Sequence, residues 1–213
     1  MPMPLSAITC LTSILLCAVS ACAQNTRAED RPERVVLANE RLTLAIGKDQ
    51  KGGVVSITDN ATGRELAAPG PQRILLLVLS DPAGDGKQRV YLSSHEAESV
   101  DYSVENAAAG GKATVTLHNL AGRGVECTYS ATVLPGDHLV RWRLEQVSIP
   151  DGLVLEEAQF PTIVLRTPDP AEAHDAVVIG HTKGGVFHKP SAWEVNKQIY
   201  GVQPGTLAAQ FGC

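Results

Sequence analysis

The sequence predicts an all-β protein, built as an antiparallel sandwich. Three observations carry that reading. Short runs of β-branched, aliphatic and aromatic residues alternate with polar ones at period two. Turn residues punctuate these runs every 8–12 residues or so, the spacing of sandwiches and barrels. No long helical periodicity and no internal repeat interrupts them.

In chain order, residues 1–22 read as an export signal. From Leu5 to Val19 the chain is apolar or small and uncharged. That run is shorter than the roughly 20 residues that span a bilayer, and it ends in small residues. Lys and Arg are missing from the stretch before it. Two processing readings stay open. Ala21-Cys22-Ala23 fits a signal-peptidase site, whereas Val19-Ser20-Ala21-Cys22 fits a lipobox with Cys22 as the acylated residue. The second is preferred, and a diacyl anchor holds stably to a membrane where a single chain does not. The expected location is periplasmic, on the cell surface as a lipoprotein, or secreted.

Residues 23–34 include "QNTRAEDRPER" and read as a flexible tether. The sandwich is expected over 35–213. Leu42, Leu44 and Ile46 alternate with Thr43 and Ala45, a half-buried strand. "GKDQKGG" turns the chain, Val55 and Ile57 resume the alternation, and "DNATGRE" turns it again. Asn60-Ala61-Thr62 is a formal glycosylation sequon. "RILLLVLSDP" is continuously apolar at strand length, as for a strand buried on both faces. "RVYLSS", "SVDYSVE", "KATVTLHNL" and "VECTYSATVLP" follow as strands, with "NAAAGGK" and "LAGRG" as hairpin turns. In "DHLVRWRLEQV", Val140, Trp142 and Leu144 share an inward face, and Arg141, Arg143 and Glu145 share the other. "GLVLEEAQFPTIVLRTP" continues the pattern, with Pro161 marking a bend or bulge. "AVVIG" and "TLAAQF" are the last strands. The sequence stops inside the second, which reads as a sandwich incomplete at its C-terminus.

Composition narrows the function. The formal charge of −5 and a pI near 5.7 leave no basic patch for nucleic acid. Two Trp, four Tyr and three Phe are few rings for gripping sugars by stacking. Cys127 and Cys213 either pair in an oxidising compartment or remain a buried and a terminal thiol. No G-x-S-x-G, P-loop, dinucleotide or H-E-x-x-H motif is present.

Four segments together carry a resemblance: "LANERLTLAIGKDQKGGVVSITDNATGRE", "HLVRWRLEQV", "EEAQFPTIVL" and "VQPGTLAAQF". In this order they resemble the N-terminal region of large secreted bacterial glycoside-hydrolase-like proteins. There a galactose-mutarotase-like sandwich precedes a (β/α)8 barrel. The likeness covers about residues 35–211. It implies a supersandwich with one curved sheet, a polysaccharide or oligosaccharide as partner, and a barrel domain outside this chain that holds the catalytic carboxylates. It implies no cofactor, and no catalytic residue carries over.

The candidate binding residues lie in two places. The loop "HTKGGVFHKPSAWEVNKQIYG" gathers His181, Lys183, His188, Trp193, Glu194, Asn196 and Tyr200. Such types stack on a sugar ring and bond its hydroxyls. Equally, this is a surface loop whose Trp193 packs against the barrel. Arg141 and Arg143 line a cleft if their face is concave and covered; the simpler reading is a solvated face with ordinary cross-strand pairing. His174, His181 and His188 recur every seven residues, but Gly180, Gly184, Gly185 and Pro190 break any helix that would align them, so no metal is expected. Glu156 and Glu157, or Asp169 and Asp175, lack the context of an acid/base pair. The expected function is saccharide contact and scaffolding, not catalysis by this chain alone. The alternatives are a surface lipoprotein that binds without an enzyme, and a mutarotase or epimerase with a convergent His–carboxylate pair.

Overall fold

The computed structural model describes residues 26–80, 89–107 and 110–166 in full, together with the backbone of three further strands. Every β pairing among the described residues is antiparallel. No helix there is long and apolar enough to cross a membrane.

A five-stranded sheet opens the fold, in the order β1-β2-β3-β4-β5. Its strands are β1 (Arg27–Asp30), β2 (Arg34–Ala38), β3 (Leu42–Gly47), β4 (Gly53–Asp59) and β5 (Arg64–Glu65). β6 (Leu76–Ser80) and β7 (Arg89–Ser93) follow, with a short 3-10 turn at Ser94–Glu96. Next come β8 (Ser99–Ala107), β9 (Gly110–Leu120), β10 (Val125–Val133) and β11 (Val140–Ser148), a four-stranded meander in the order β11-β10-β9-β8. β12 (Val154–Gln159) returns to β6 and makes the three-stranded sheet β12-β6-β7. β13 (Ala176–Gly180), β14 (Gly185–His188) and β15 (Ala208–Gly212) form a separate three-stranded sheet, β14-β13-β15.

One apolar cluster unites the first three sheets. It takes Val35, Leu37, Leu44, Ile46 and Val54 from the first sheet, Leu77, Leu79 and Leu92 from the small one, and Val115, Leu117, Cys127 and Tyr129 from the meander. Tyr129, Trp142 and Phe160 pack as a ring triad, with centroids 5.2–6.2 Å apart. Sheets buried on one face against each other are how such a chain removes its alternating apolar residues from water. β6 is buried along its whole length, as its unbroken apolar run requires. Trp142 sits on the inward side of β11 with Val140 and Leu144, all packed against the core.

Two expectations need correction. The tether reading fails for Arg27–Asp30, which pairs with Val35–Ala38. Ala28 is buried there, and the Asn106 side chain acts as a surrogate strand on the far edge of β1. Its Nδ2 donates to Ala28 O at 2.8 Å, and its Oδ1 accepts from Ala28 N at 2.6 Å. The phase of β4 also differs. Val54, not Val55, faces the core with Ile57, because a bulge leaves Val55 as an extra residue between the Ala45–Ser56 and Ile46–Val54 pairs. β12 ends one residue before the cis peptide Phe160–Pro161, where the sequence marks a bend.

Candidate functional site

The outward face of the meander is the polar surface that the strands build most completely. Period-two alternation sends Ala113, Val115 and Leu117 inward, and Lys112, Thr114, Thr116 and His118 outward. On β8 the outward residues are Ser99, Asp101, Ser103 and Glu105; on β10 they are Glu126, Thr128, Ser130 and Thr132. On β11 they are Arg141, Arg143, Glu145 and Gln146. Side chains here are hydroxyls, amides and charges, already engaged with one another across the strands. The Thr116 and Thr128 hydroxyls lie 3.1 Å apart.

At the β11 end the face is ionic. Ser130 donates its hydroxyl to Glu145 Oε1 at 2.7 Å, and Arg143 Nε lies 3.0 Å from Glu145 Oε2. Lys112 Nζ is 3.5 Å from the same carboxylate. The Ser130 hydrogen bond, helped by the charges of Arg143 and Lys112, holds Glu145 below the usual carboxylate range. A bulge on β11 places Glu145 there, between the Thr128–Gln146 and Tyr129–Leu144 pairs. Arg141 donates to Asp137 Oδ2 at 2.6 Å, which depresses that carboxyl too. Thus Arg141 and Arg143 lie on a solvated face, but their ion pairs are local, with Asp137 before β11 and with Glu145 two residues on, not the cross-strand pairing of the simpler sequence reading. Arg143 is 78% exposed.

At the other end, three strands bring a histidine and two carboxylates together. His118 Nε2 is 3.0 Å from Asp101 Oδ2, and Nδ1 is 3.2 Å from Glu126 Oε1. A bulge on β9 makes this possible. Val125 pairs with Leu120 and Cys127 with Leu117, so His118 and Asn119 both oppose Glu126. Asn119 takes up the turn with φ 48°. Glu126 and Asp101 together raise the imidazole pKa above its ordinary value. Sequence reasoning passed over this group. His118 stands in a recognisable outward position, but its partners lie 8 and 17 residues away and are fixed by register, not spacing.

The remaining candidates fall as follows. His188 is the last residue of β14, opposite Ala176. His181, Lys183, Trp193, Glu194, Asn196 and Tyr200 lie outside the described residues, as do Cys22, His174, Asp169, Asp175 and Cys213. Cys127 is a buried free thiol, and desolvation pushes its pKa up to about 12. Glu156 is a bulge residue 2.8 Å from Arg89 Nε, and Glu157 accepts from Gln159 at 2.9 Å. These glutamates are therefore engaged by neighbours on the small sheet. Among the described residues no group of three His, Cys, Asp or Glu side chains is disposed to hold a metal ion.

No family model matches the sequence, and no curated protein matches it. Among solved structures, the chain is similar to a TPR-domain-containing protein from Parabacteroides distasonis, at 14% identity and a TM-score of 0.36. The match covers 75% of this chain and 29% of that one, so the chain spans under a third of that protein's length.

Proposed function

We propose that this chain is the saccharide-facing sandwich, of galactose-mutarotase-like type, of a larger exported glycoside-hydrolase-like protein. It acts as scaffold and contact surface, not as catalyst, and the catalytic barrel lies outside it. One observation carries this reading: the four-stranded meander turns an unbroken field of Ser, Thr, Arg, Glu and His side chains outward, backed by a fully apolar core. Hydroxyls that both donate and accept, set beside charged donors, match the mixed hydrogen-bonding demand of sugar hydroxyls. The ionic end around Arg143 and Glu145 gives charge-assisted bonds, the stronger kind. No Trp, Tyr or Phe stands among the outward residues named above, so contact rests on hydrogen bonding more than on stacking.

A glycan screen with the full chain tests the proposal. Arg143→Ala lies on the exposed end and leaves the core untouched. Losing one charge-assisted bond of about 1.5 kcal/mol lowers affinity for the best glycan about tenfold. Trp193→Ala probes the loop candidates in the same assay. No glycan retained by the wild type, or equal retention by wild type and both variants, overturns the reading.

A mutarotase or epimerase is the second reading, favoured by His118 standing between two carboxylates. It ranks lower because both ring nitrogens already hold those carboxylates, leaving neither to act on a sugar without rearrangement. Polarimetry of fresh α-anomers with wild type and His118→Ala decides it. A rate above the buffer rate that is lost in the variant would promote it.

A further inference from the structure

We infer that His118 is a protonation-controlled clamp: charged, it joins Asp101 of β8 to Glu126 of β10 across β9, and on losing its proton it releases one of them. The geometry gives the reason. Each ring nitrogen faces a different carboxylate, at 3.0 and 3.2 Å. An imidazolium has two N–H donors, one for each side. A neutral imidazole has one, and its other nitrogen is an acceptor. A carboxylate is acceptor-only, so two lone-pair groups would then face each other at hydrogen-bond distance. The contact on the bare nitrogen must open, and the tautomer decides which carboxylate goes.

Asp101 and Glu126 are the two charged groups that act on the His118 ring. Nearby charged groups are Glu96 and Glu98 before β8, Arg123 in the β9–β10 turn, and Lys51 of the β3–β4 turn, whose Nζ donates to Ala97 O at 2.9 Å and Glu98 O at 3.4 Å. Glu98 is held by the Asn119 amide. Glu96 bonds to the Ser93 backbone in the capping box of the 3-10 turn. Hydroxyls from Thr116 and Thr128 bond each other on the same face. The triad itself carries a formal charge of minus one when His118 is protonated and minus two when it is not. The switch therefore sets the local charge of the outward face as well as the cross-strand tie, whatever ligand that face binds. The inference does not depend on the saccharide reading.

The sign follows. Both carboxylates favour the charged ring, so His118 titrates above an ordinary histidine. Its contribution is fully present below the unfolded-state value near 6.5 and is lost as pH rises through the raised folded value. The release therefore falls at higher pH than the deprotonation of an ordinary histidine.

The test is a histidine-selective NMR titration of the full chain, with His118→Gln for assignment. His118 is expected to titrate above an ordinary histidine and to fall back toward it in the double variant Asp101→Asn/Glu126→Gln. Amide exchange at Asp101 and Glu126, corrected for intrinsic rate, is the second readout. It should quicken severalfold as wild type passes the His118 midpoint and stay level in His118→Gln. If that variant fails to fold, the double variant replaces it in the exchange experiment. A midpoint at or below an ordinary histidine, a midpoint unmoved in the double variant, or equal exchange profiles overturns the clamp.

Discussion

Tyr129 and Gly52 form a close, buried contact between the meander and the turn before β4. The Tyr129 hydroxyl, wholly buried, donates to Gly52 O at 2.6 Å. Gly52 has φ +82°, and a Cβ there would lie 2.5 Å from the same hydroxyl oxygen. Two separate reasons thus demand glycine: the left-handed backbone and the closeness of the ring. Tyr129→Phe leaves a buried carbonyl without its donor and should cost about 1–3 kcal/mol. Gly52→Ala adds left-handed strain of about 1–2 kcal/mol to the clash. Combined, the two changes should cost less than their sum, since removing the hydroxyl makes room for the new methyl. Urea denaturation of the two single variants and the double measures this, and strict additivity would refute the contact. The Gly-Gly pair at Gly52-Gly53 was legible as a turn. That a tyrosine 77 residues away seals it was not, because no local pattern encodes a long-range partner.

At the scale of elements, alternation read the strands well wherever the ladder is regular, and lost phase wherever a bulge intervenes. Val54 and Val55 are chemically identical, so sequence alone could not say which turns inward. Val54 is fully buried and Val55 half-buried. Val54→Ala should cost roughly 2 kcal/mol, from two buried carbons plus a cavity, and Val55→Ala clearly less. Equal costs would place the bulge elsewhere. β1 escaped notice for a different reason. "RAED" has only Ala28 to bury, and its order depends on Asn106, which the sequence places in another hairpin. The β4–β5 corner has its own lock. Burial pushes the Glu65 carboxyl up, but hydrogen bonds from Ser56, Ile57 N and Ala67 N, and the charge of Arg166, outweigh it and hold the pKa below the ordinary value. Such a group stabilises the fold above its unfolded pKa, near 4.3, and the benefit fades as pH falls through the depressed folded value. Glu65→Gln should therefore flatten the acid limb of a stability-versus-pH curve measured by denaturant titration. An unchanged limb would show that another carboxylate dominates it.

Across the whole molecule, the inward and outward faces were readable to different depths. The inward face follows from composition at every second position, so Leu44 and Trp142 could be assigned to the core from the sequence alone. The outward face could be recognised as polar, and Arg141 and Arg143 named, but the His118 group required the pairing of β8 with β9 and β9 with β10, including a bulge. Those same pairings make the fold's energetics collective. The core is one contiguous cluster drawing on three sheets, and Leu66–Ala68 hydrogen-bonds with Val164–Arg166 to tie the first sheet to the segment after β12. Neither sheet face can stay dry without the other, so opening one exposes the apolar side of all three. Unfolding of this body is expected to be a single transition. Trp142 reports the inter-sheet ring triad and far-UV circular dichroism reports the strands. With Trp193→Phe as background, their denaturation curves should superimpose. Folding should take milliseconds to seconds, as for other proteins dominated by non-local strand pairing. Curves that separate, with Trp142 exposed while the strand signal persists, would mean that the meander and the first sheet are independent units, and the shared core would then not be what holds the outward face in shape.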